Sequence, residues 1–188
     1  IAGSPHMKPS DRIVEKGATV YLDFGLSVDG YHGDLQHFGY VLKDDETEAP
    51  EHVQIMFRLL NDSIKAGMNV AKPGVFGWEV DKASRDVIVE AGYPTYKHGT
   101  GHQLGAGGTH APGVSFSAKF DNYLNEGSTH GRRDVNPTSQ LPIKLGYVMT
   151  IEPRIQIENG ASIEVYGVVT PSGVELFVPI QELVHLIR

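Results

Sequence analysis

YLDFGLSVDGYHGD, residues 21–34, predicts two short strands joined by a tight turn. Residues with high strand propensity flank Asp29-Gly30, and this dipeptide is a strong signal for a two-residue hairpin turn. A turn closed at these two residues pairs residue 28 with residue 31. That pairing sets the register of the whole hairpin, and every later argument about which side chains meet depends on it.

Two aspartates in this hairpin are expected to lie close together. In the predicted register Asp23 is opposite Gln36, and Asp34, two residues before Gln36, is opposite Gly25. Side chains of paired residues share a face, as do residues two apart on one strand, so Asp23 and Asp34 become diagonal neighbours. A lone carboxylate inside the apolar run VYLDFGL would be costly. We therefore predict that the two carboxylates share a metal site.

The remainder of the chain predicts an α+β fold. Apolar residues at helical spacing begin at Glu51, and we expect this helix to end at Gly67. A second helix is predicted over residues 78–91. Residues 113–142 are polar and aperiodic and are interpreted as a surface excursion, and strand signals return over 145–177. This order favours helices packed on one face of a mainly antiparallel sheet.

Two glutamates in the last strand region converge only if their hairpin is irregular. A two-residue turn at Asn159-Gly160 would place Glu152 and Glu164 on opposite faces. A three-residue loop or a bulge, which Pro153 favours, brings them to the same face. We predict such an irregularity.

His102 lies within residues 99–108, a stretch with five glycines that we expect to be an irregular loop with close backbone approaches. Carboxylate oxygens with a single imidazole nitrogen suit a pair of divalent cations such as Mn²⁺, Co²⁺, Fe²⁺ or Zn²⁺, and paired ions recur in hydrolysis. The sequence therefore indicates a metal-dependent hydrolase, with these candidate ligands: Asp23, Asp34, His102, Glu152 and Glu164.

Composition narrows the class of protein. The chain has 188 residues, enough for one domain with a real core, and its net charge of −7 argues against a nucleic-acid-binding surface. It contains no cysteine, which excludes disulfides and thiolate metal sites and is compatible with the cytosol. No apolar run approaches the ~20 residues of a membrane span. We predict a cytoplasmic protein with no membrane partner.

Four blocks in order, YLDFGLSVDGYHGD, HGTGHQLG, MTIEP and SIEV, resemble the metal-site blocks of the pita-bread metallopeptidases, family M24. This family includes prolidase, aminopeptidase P and methionine aminopeptidase. The resemblance implies a curved antiparallel sheet with helices on its outer face. It also implies that residues 1–188 are the carboxy-terminal portion of a catalytic domain whose upstream part is absent.

The resemblance also implies roles for the candidate ligands. Asp34 and Glu164 would bridge two divalent ions, Asp23 would complete the ligands of one ion, and His102 and Glu152 would bind the other. Mn²⁺ is the expected ion, with Co²⁺, Zn²⁺ and Fe²⁺ as alternatives. Glu152 would also act as the proton shuttle.

Further roles follow for residues outside the ligand set. His110 resembles a histidine that stabilises the oxyanion, although it follows His102 by eight residues where the family usually has seven. His6 matches an upstream substrate-binding histidine, and His98 is expected to be a pocket residue. Ser162 stands where the family often has arginine, and Arg154 is expected to supply that positive charge to substrate.

The HGTGH block and the closing hairpin are more similar to the prolidase and aminopeptidase P branch. This implies cleavage of an Xaa–Pro bond at the amino end of a peptide. Two alternatives stay open: a methionine aminopeptidase-like exopeptidase, and a non-catalytic binding module on the same fold. The implied partner is a peptide substrate, and homodimers are common in the family.

Overall fold

The computed structural model describes residue 11 and residues 13–106, 108–118 and 137–188. The helices in these ranges are α1 (Glu51–Val70) and α2 (Gly77–Glu90), with a 3₁₀ turn at Thr138–Gln140. The strands are β1 (Thr19–Phe24), β2 (Ser27–Val28), β3 (Tyr31–His32), β4 (Leu35–Val41), β5 (Gly101–Leu104), β6 (Ser115–Phe116), β7 (Val148–Ile151), β8 (Arg154–Ile155), β9 (Ala161–Ser162), β10 (Val165–Thr170), β11 (Gly173–Leu176) and β12 (His185–Ile187).

The strands form a mainly antiparallel structure. The order β1-β4-β12 makes one sheet, in which β12 runs parallel to β4, and β11-β10-β7-β5-β6 makes a larger antiparallel one. The pairs β2-β3 and β8-β9 form short ribbons. An antiparallel bridge between Gln36 and Glu164 joins the amino-terminal hairpin to the carboxy-terminal one. This bridge brings candidate ligands from the two ends of the chain together.

Both helices pack on one face of the larger sheet, as predicted. Along β7, Met149 and Ile151 are buried in the same apolar core as the helices, and Ile151 lies against Gly67 of α1. Side chains alternate along a strand, so Thr150 and the following Glu152 project to the face away from the helices. The core thus occupies one side of the sheet and leaves the other side for a site.

The first helix is longer than predicted. Gly67 does not end α1, which continues to Val70. It lies instead where α1 meets α2: a Cβ built on Gly67 would lie 3.4 Å from the Cβ of Ser84. The glycine permits this close helix contact, a tertiary role that local sequence signals do not reveal. Neither α1 nor α2 is long and apolar enough to cross a membrane.

The interpretation of residues 113–142 as a surface excursion is wrong at the amino-terminal end of the segment. Val114 and Phe116 are buried, and β6 pairs with β5, so this end belongs to the core and the sheet. At the other end, residues 137–142 are mostly exposed, and only Ser139 among them is buried. Residues 119–136 lie outside the described residues.

Candidate metal centre

The amino-terminal hairpin has the predicted register. Val28 pairs with Tyr31 across a turn in which Asp29 and Gly30 both have positive φ, and Asp23 pairs with Gln36. This is the conformation of the two-residue turn that Asp-Gly favours. It places the Asp23 carboxylate beside the side chain of Gln36, whose Nε2 donates to Asp23 Oδ2 over 3.3 Å.

The carboxy-terminal hairpin is irregular, as predicted, although its connection has five residues, 156–160, and not three. Val165 pairs with Ile151 and Ser162 with Arg154, a register in which Glu164 and Glu152 are opposite each other and share a face. The connection is an odd-numbered loop closed by a hydrogen bond from Gly160 N–H to Ile157 O, with Asn159 at a φ of 51°. A two-residue turn would have separated the two glutamates.

His102 is on a strand, contrary to the irregular loop predicted for residues 99–108. It lies in β5, and its backbone N–H donates to Thr150 Oγ1 over 3.1 Å. The predicted close backbone approach is present, because a Cβ on Gly101 would meet Thr150 O at 2.1 Å. Glycine beside His102 therefore serves strand packing and lets β5 approach β7.

The five candidate ligands meet in one cavity of about 550 Å³. His102 Nε2 lies 3.7 Å from Asp34 Oδ2 and 3.5 Å from Glu152 Oε1. Single ligand atoms of Asp34, His102 and Glu164 all lie within 4.8 Å of one another. We use the name candidate metal centre for the set Asp23, Asp34, His102, Glu152 and Glu164.

The electrostatics of the candidate metal centre favour a bound cation. Burial, followed by the charges of Asp34 and Asp23, raises the pKa of Glu152 to about 8. Burial and the neighbouring carboxylates, Glu152 first, also raise the pKa of Glu164 well above its usual range. Glu164 Oε1 is buried and accepts no hydrogen bond from the residues described. Divalent cations would compensate the clustered negative charges and could bind this Glu164 oxygen.

Cation uptake is therefore expected to release protons near neutral pH. Ligation needs the carboxylate form of Glu152, whereas its raised pKa of about 8 keeps the cation-free form largely protonated at neutral pH. Titration calorimetry with Mn²⁺ in buffers of different ionisation enthalpy measures the number of protons released. We expect release at pH 6.5 that declines as the pH passes about 8, the pKa of Glu152. An equal release at pH 6.5 and pH 9 would contradict the raised pKa values.

The raised pKa of Glu152 also makes the folding stability of the cation-free chain depend on pH. Between the ordinary pKa of 4.5 and the folded pKa of about 8, folded Glu152 holds a proton that the unfolded chain has lost. Its contribution to stability is therefore fully present below about pH 4.5 and is lost as the pH rises through about 8.

The remaining sequence-predicted residues differ in their placement. His110 lines the cavity with its ring centroid 4.0 Å from that of His102. His98 also lines the cavity, and its Nδ1–H donates to Gly99 O over 2.7 Å. Arg154 lies outside the cavity lining in the described part of the chain, with Cζ 5.3 Å from the centre of the Tyr21 ring. His6 lies outside the described residues.

His98 has a lowered pKa of about 4, chiefly because it is buried. The Nδ1 hydrogen bond to a carbonyl requires the proton on that nitrogen, so Nε2 is left as an acceptor. The charges of Arg154 and Arg85 lower the pKa further. His98 is thus neutral at physiological pH.

A buried ion pair behind the site was not predicted. Asp81 and Arg85, one turn apart on α2, are almost completely buried. Asp81 Oδ1 accepts hydrogen bonds from both N–H and Oγ1 of Thr100, and Arg85 donates to the carbonyls of Tyr96 and His98. These contacts fix the segment that leads into His102.

Gln36 and Ser162 were also missed as site residues. Both are 3% exposed, and Ser162 Oγ donates to Gln36 Oε1 over 2.6 Å. Gln36 could have been predicted as a site residue, because the hairpin register places it opposite Asp23. The only sequence signal at Ser162 is that the family often has arginine at this position.

Comparison with known proteins agrees with this geometry. The model of metallopeptidase family M24 matches residues 2–171. The chain belongs to metallopeptidase family M24. The α+β architecture of this M24 chain is the pita-bread fold, as its solved structural neighbours also show.

Individual M24 relatives cover nearly all of this chain. An uncharacterized peptidase of Staphylococcus epidermidis is 31% identical over 93% of this chain and 43% of its own length. The Xaa-Pro dipeptidase of Lactobacillus helveticus is 27% identical over 94% of this chain and 42% of its own. The structure of the Xaa-Pro dipeptidase from Bacillus anthracis matches with a TM-score of 0.74 and 27% identity, over 99% of this chain and 46% of that one. This chain therefore spans less than half the length of each relative.

Proposed function

We propose that this M24 chain acts as a dinuclear metal-dependent exopeptidase that hydrolyses the bond before proline at the amino end of peptides or dipeptides. The observation that carries the proposal is the convergence of four carboxylates and one imidazole, from distant parts of the sequence, in a single cavity of about 550 Å³. We assign residues 1–188 to a catalytic metallopeptidase domain.

In this proposal Asp34 and Glu164 would be ligands of both ions, Asp23 would complete one ligand set, and His102 with Glu152 would complete the other. The distance of 3.5 Å from His102 Nε2 to Glu152 Oε1 supports a shared ion for that pair. Two divalent cations bound there, with Mn²⁺ as the expected metal, would supply a nucleophilic water and polarise the scissile carbonyl.

Glu152 is proposed to move the proton. Its carboxylate lies in the cavity, 3.5 Å from His102 Nε2, where bound cations would also hold the attacking water. Glu152 would accept a proton as the bond is attacked and return it to the departing proline nitrogen.

The two histidines in the cavity are proposed to contact substrate. His110 is exposed and its ring is tilted by 34° against that of His102, a position from which a ring N–H could donate to a developing oxyanion. His98 is neutral and would therefore contact substrate through a hydrogen bond and not through an ion pair. Arg154 would contribute positive charge from beside His98, and His6 stays a sequence-based prediction for substrate binding.

The preference for Xaa–Pro is supported by the sequence blocks and by the relatives of that name. Two of the three relatives reported above are Xaa-Pro dipeptidases, each 27% identical to this chain. A cytoplasmic location and a homodimeric state remain predictions that accompany this proposal.

A comparison of two peptides tests the specificity. The Mn²⁺-loaded chain is expected to release alanine from Ala-Pro substrates with a kcat/KM at least about tenfold above that for Met-Ala substrates, a difference of ~1.4 kcal/mol in transition-state binding. Cleavage of Met-Ala but not Ala-Pro would favour the methionine aminopeptidase-like alternative. The Glu152→Gln variant is the control, since it should cleave neither substrate.

A further inference from the structure

We propose that Gln36, oriented by Ser162, is a positioning residue that holds Asp23 and Glu164 in place within the candidate metal centre. This inference rests on the proposed function, because it concerns how the chain's own residues prepare that centre for cations. It is carried by hydrogen bonds that link the amino-terminal and carboxy-terminal hairpins.

Gln36 contacts ligands from both hairpins. Its Nε2 donates to Asp23 Oδ2 over 3.3 Å, and its backbone forms an antiparallel bridge with that of Glu164. The backbones of Gln36 and Glu164 exchange two hydrogen bonds of 3.3 and 3.2 Å. A single residue, 3% exposed, therefore connects two carboxylates that lie 141 positions apart in the sequence.

Ser162 orients the side-chain amide of Gln36. The Ser162 hydroxyl donates to Gln36 Oε1 over 2.6 Å in a buried setting. An amide oxygen accepts and an amide nitrogen donates, so this contact turns the nitrogen toward the carboxylates. Without the hydroxyl, the amide would be free to rotate and to direct its oxygen at a negative charge.

A neutral donor is well suited to this position. Asp23, the exposed member of the set, and the buried Glu164 would otherwise repel each other and rotate apart. The amide nitrogen donates to one oxygen of Asp23 without adding a positive charge that would compete with cations. Ligands held this way need little reorganisation when a cation binds, and outer partners of metal ligands typically contribute ~10–100-fold in affinity.

The test compares Gln36→Met with Gln181→Met. Gln181 is a buried glutamine whose side chain forms hydrogen bonds with the backbone N–H and O of Phe38, at 2.8 and 2.7 Å. Phe38 is on β4, as is Gln36, and among the described residues Gln181 contacts no ligand carboxylate. Dissociation constants for Co²⁺ are measured by calorimetry, and the visible absorption of bound Co²⁺ reports the ligand geometry. We expect Gln36→Met to weaken Co²⁺ binding ~10–100-fold and to alter the spectrum. Gln181→Met should lower thermal stability but keep the wild-type affinity and spectrum.

Ser162→Ala provides a second, milder variant. It should weaken Co²⁺ binding by a smaller factor and change the spectrum in the same direction. In the Gln36→Met background it should have no further effect, because Ser162 acts through Gln36. An additive loss in the double variant would overturn that dependence.

The outcomes separate this inference from the proposed function. A wild-type chain that takes up less than one ion refutes the candidate metal centre, and the positioning role falls with it. A wild-type chain that binds two ions, with Gln36→Met matching Gln181→Met in affinity and spectrum, overturns the positioning role alone. If Gln36→Met does not fold, Ser162→Ala takes its place. An unchanged Co²⁺ affinity and spectrum in Ser162→Ala would then overturn the positioning role.

Discussion

Asp34→Ala is expected to abolish tight cation binding and to lower kcat/KM by more than about 100-fold, beyond the usual loss from an outer partner of a metal ligand. Asp34 Oδ2 lies 3.7 Å from His102 Nε2, and ligand atoms of Asp34, His102 and Glu164 fall within 4.8 Å of one another. Removing Asp34 therefore takes a ligand from the middle of the candidate metal centre. Calorimetry with Mn²⁺ and a peptidase assay measure the two effects.

The stability of the Asp34→Ala variant distinguishes a lost ligand from a damaged fold. The Asp34 charge raises the pKa of both Glu152 and Glu164, so its removal relieves repulsion in the cation-free chain. We expect a melting temperature equal to or above that of the cation-free wild type at pH 8. Asp62→Ala, at an exposed aspartate of α1, is the matched control and should leave cation binding unchanged. Wild-type Mn²⁺ affinity in Asp34→Ala would contradict the assignment.

The second large effect is expected at Asp81. Asp81→Asn should destabilise the chain by about 3–5 kcal/mol, because it leaves the buried charge of Arg85 uncompensated. The Asp81 carboxylate accepts from Arg85 Nε over 2.9 Å and from both donors of Thr100. Urea unfolding followed by circular dichroism measures the loss.

An exposed ion pair on the same helix provides the control. Lys82 and Asp86 have the same i, i+4 spacing as Asp81 and Arg85, but their side chains are 64% and 41% exposed. Asp86→Asn should therefore cost less than about 1 kcal/mol. Equal losses in Asp81→Asn and Asp86→Asn would show that burial of the first pair does not determine its contribution.

The hairpins were predictable because local rules fix their registers. Asp29-Gly30 demands a two-residue turn, and that turn alone sets Asp23 opposite Gln36. The second hairpin required a further argument, since Glu152 and Glu164 converge only with an odd-numbered loop. The structure has that loop, with Asn159 in the left-handed region.

The parts that were missed depend on tertiary contacts. Charged residues one helical turn apart, such as Asp81 and Arg85, usually lie on a solvent-exposed face, and nothing local shows that this pair is buried. Glycines around His102 suggested a loop, whereas Gly101 is there because β5 approaches the Thr150 carbonyl too closely for a side chain. Gly67 likewise suggests a helix end in the sequence, whereas it serves the contact with Ser84.

The central claim is that the five side chains of the candidate metal centre bind two cations. Crystals of the chain grown with Mn²⁺ and measured at the manganese absorption edge test it most directly. The account predicts two anomalous peaks in the cavity, both in contact with Asp34 and Glu164. A cavity without anomalous density, under conditions where the solution contains excess Mn²⁺, would contradict it.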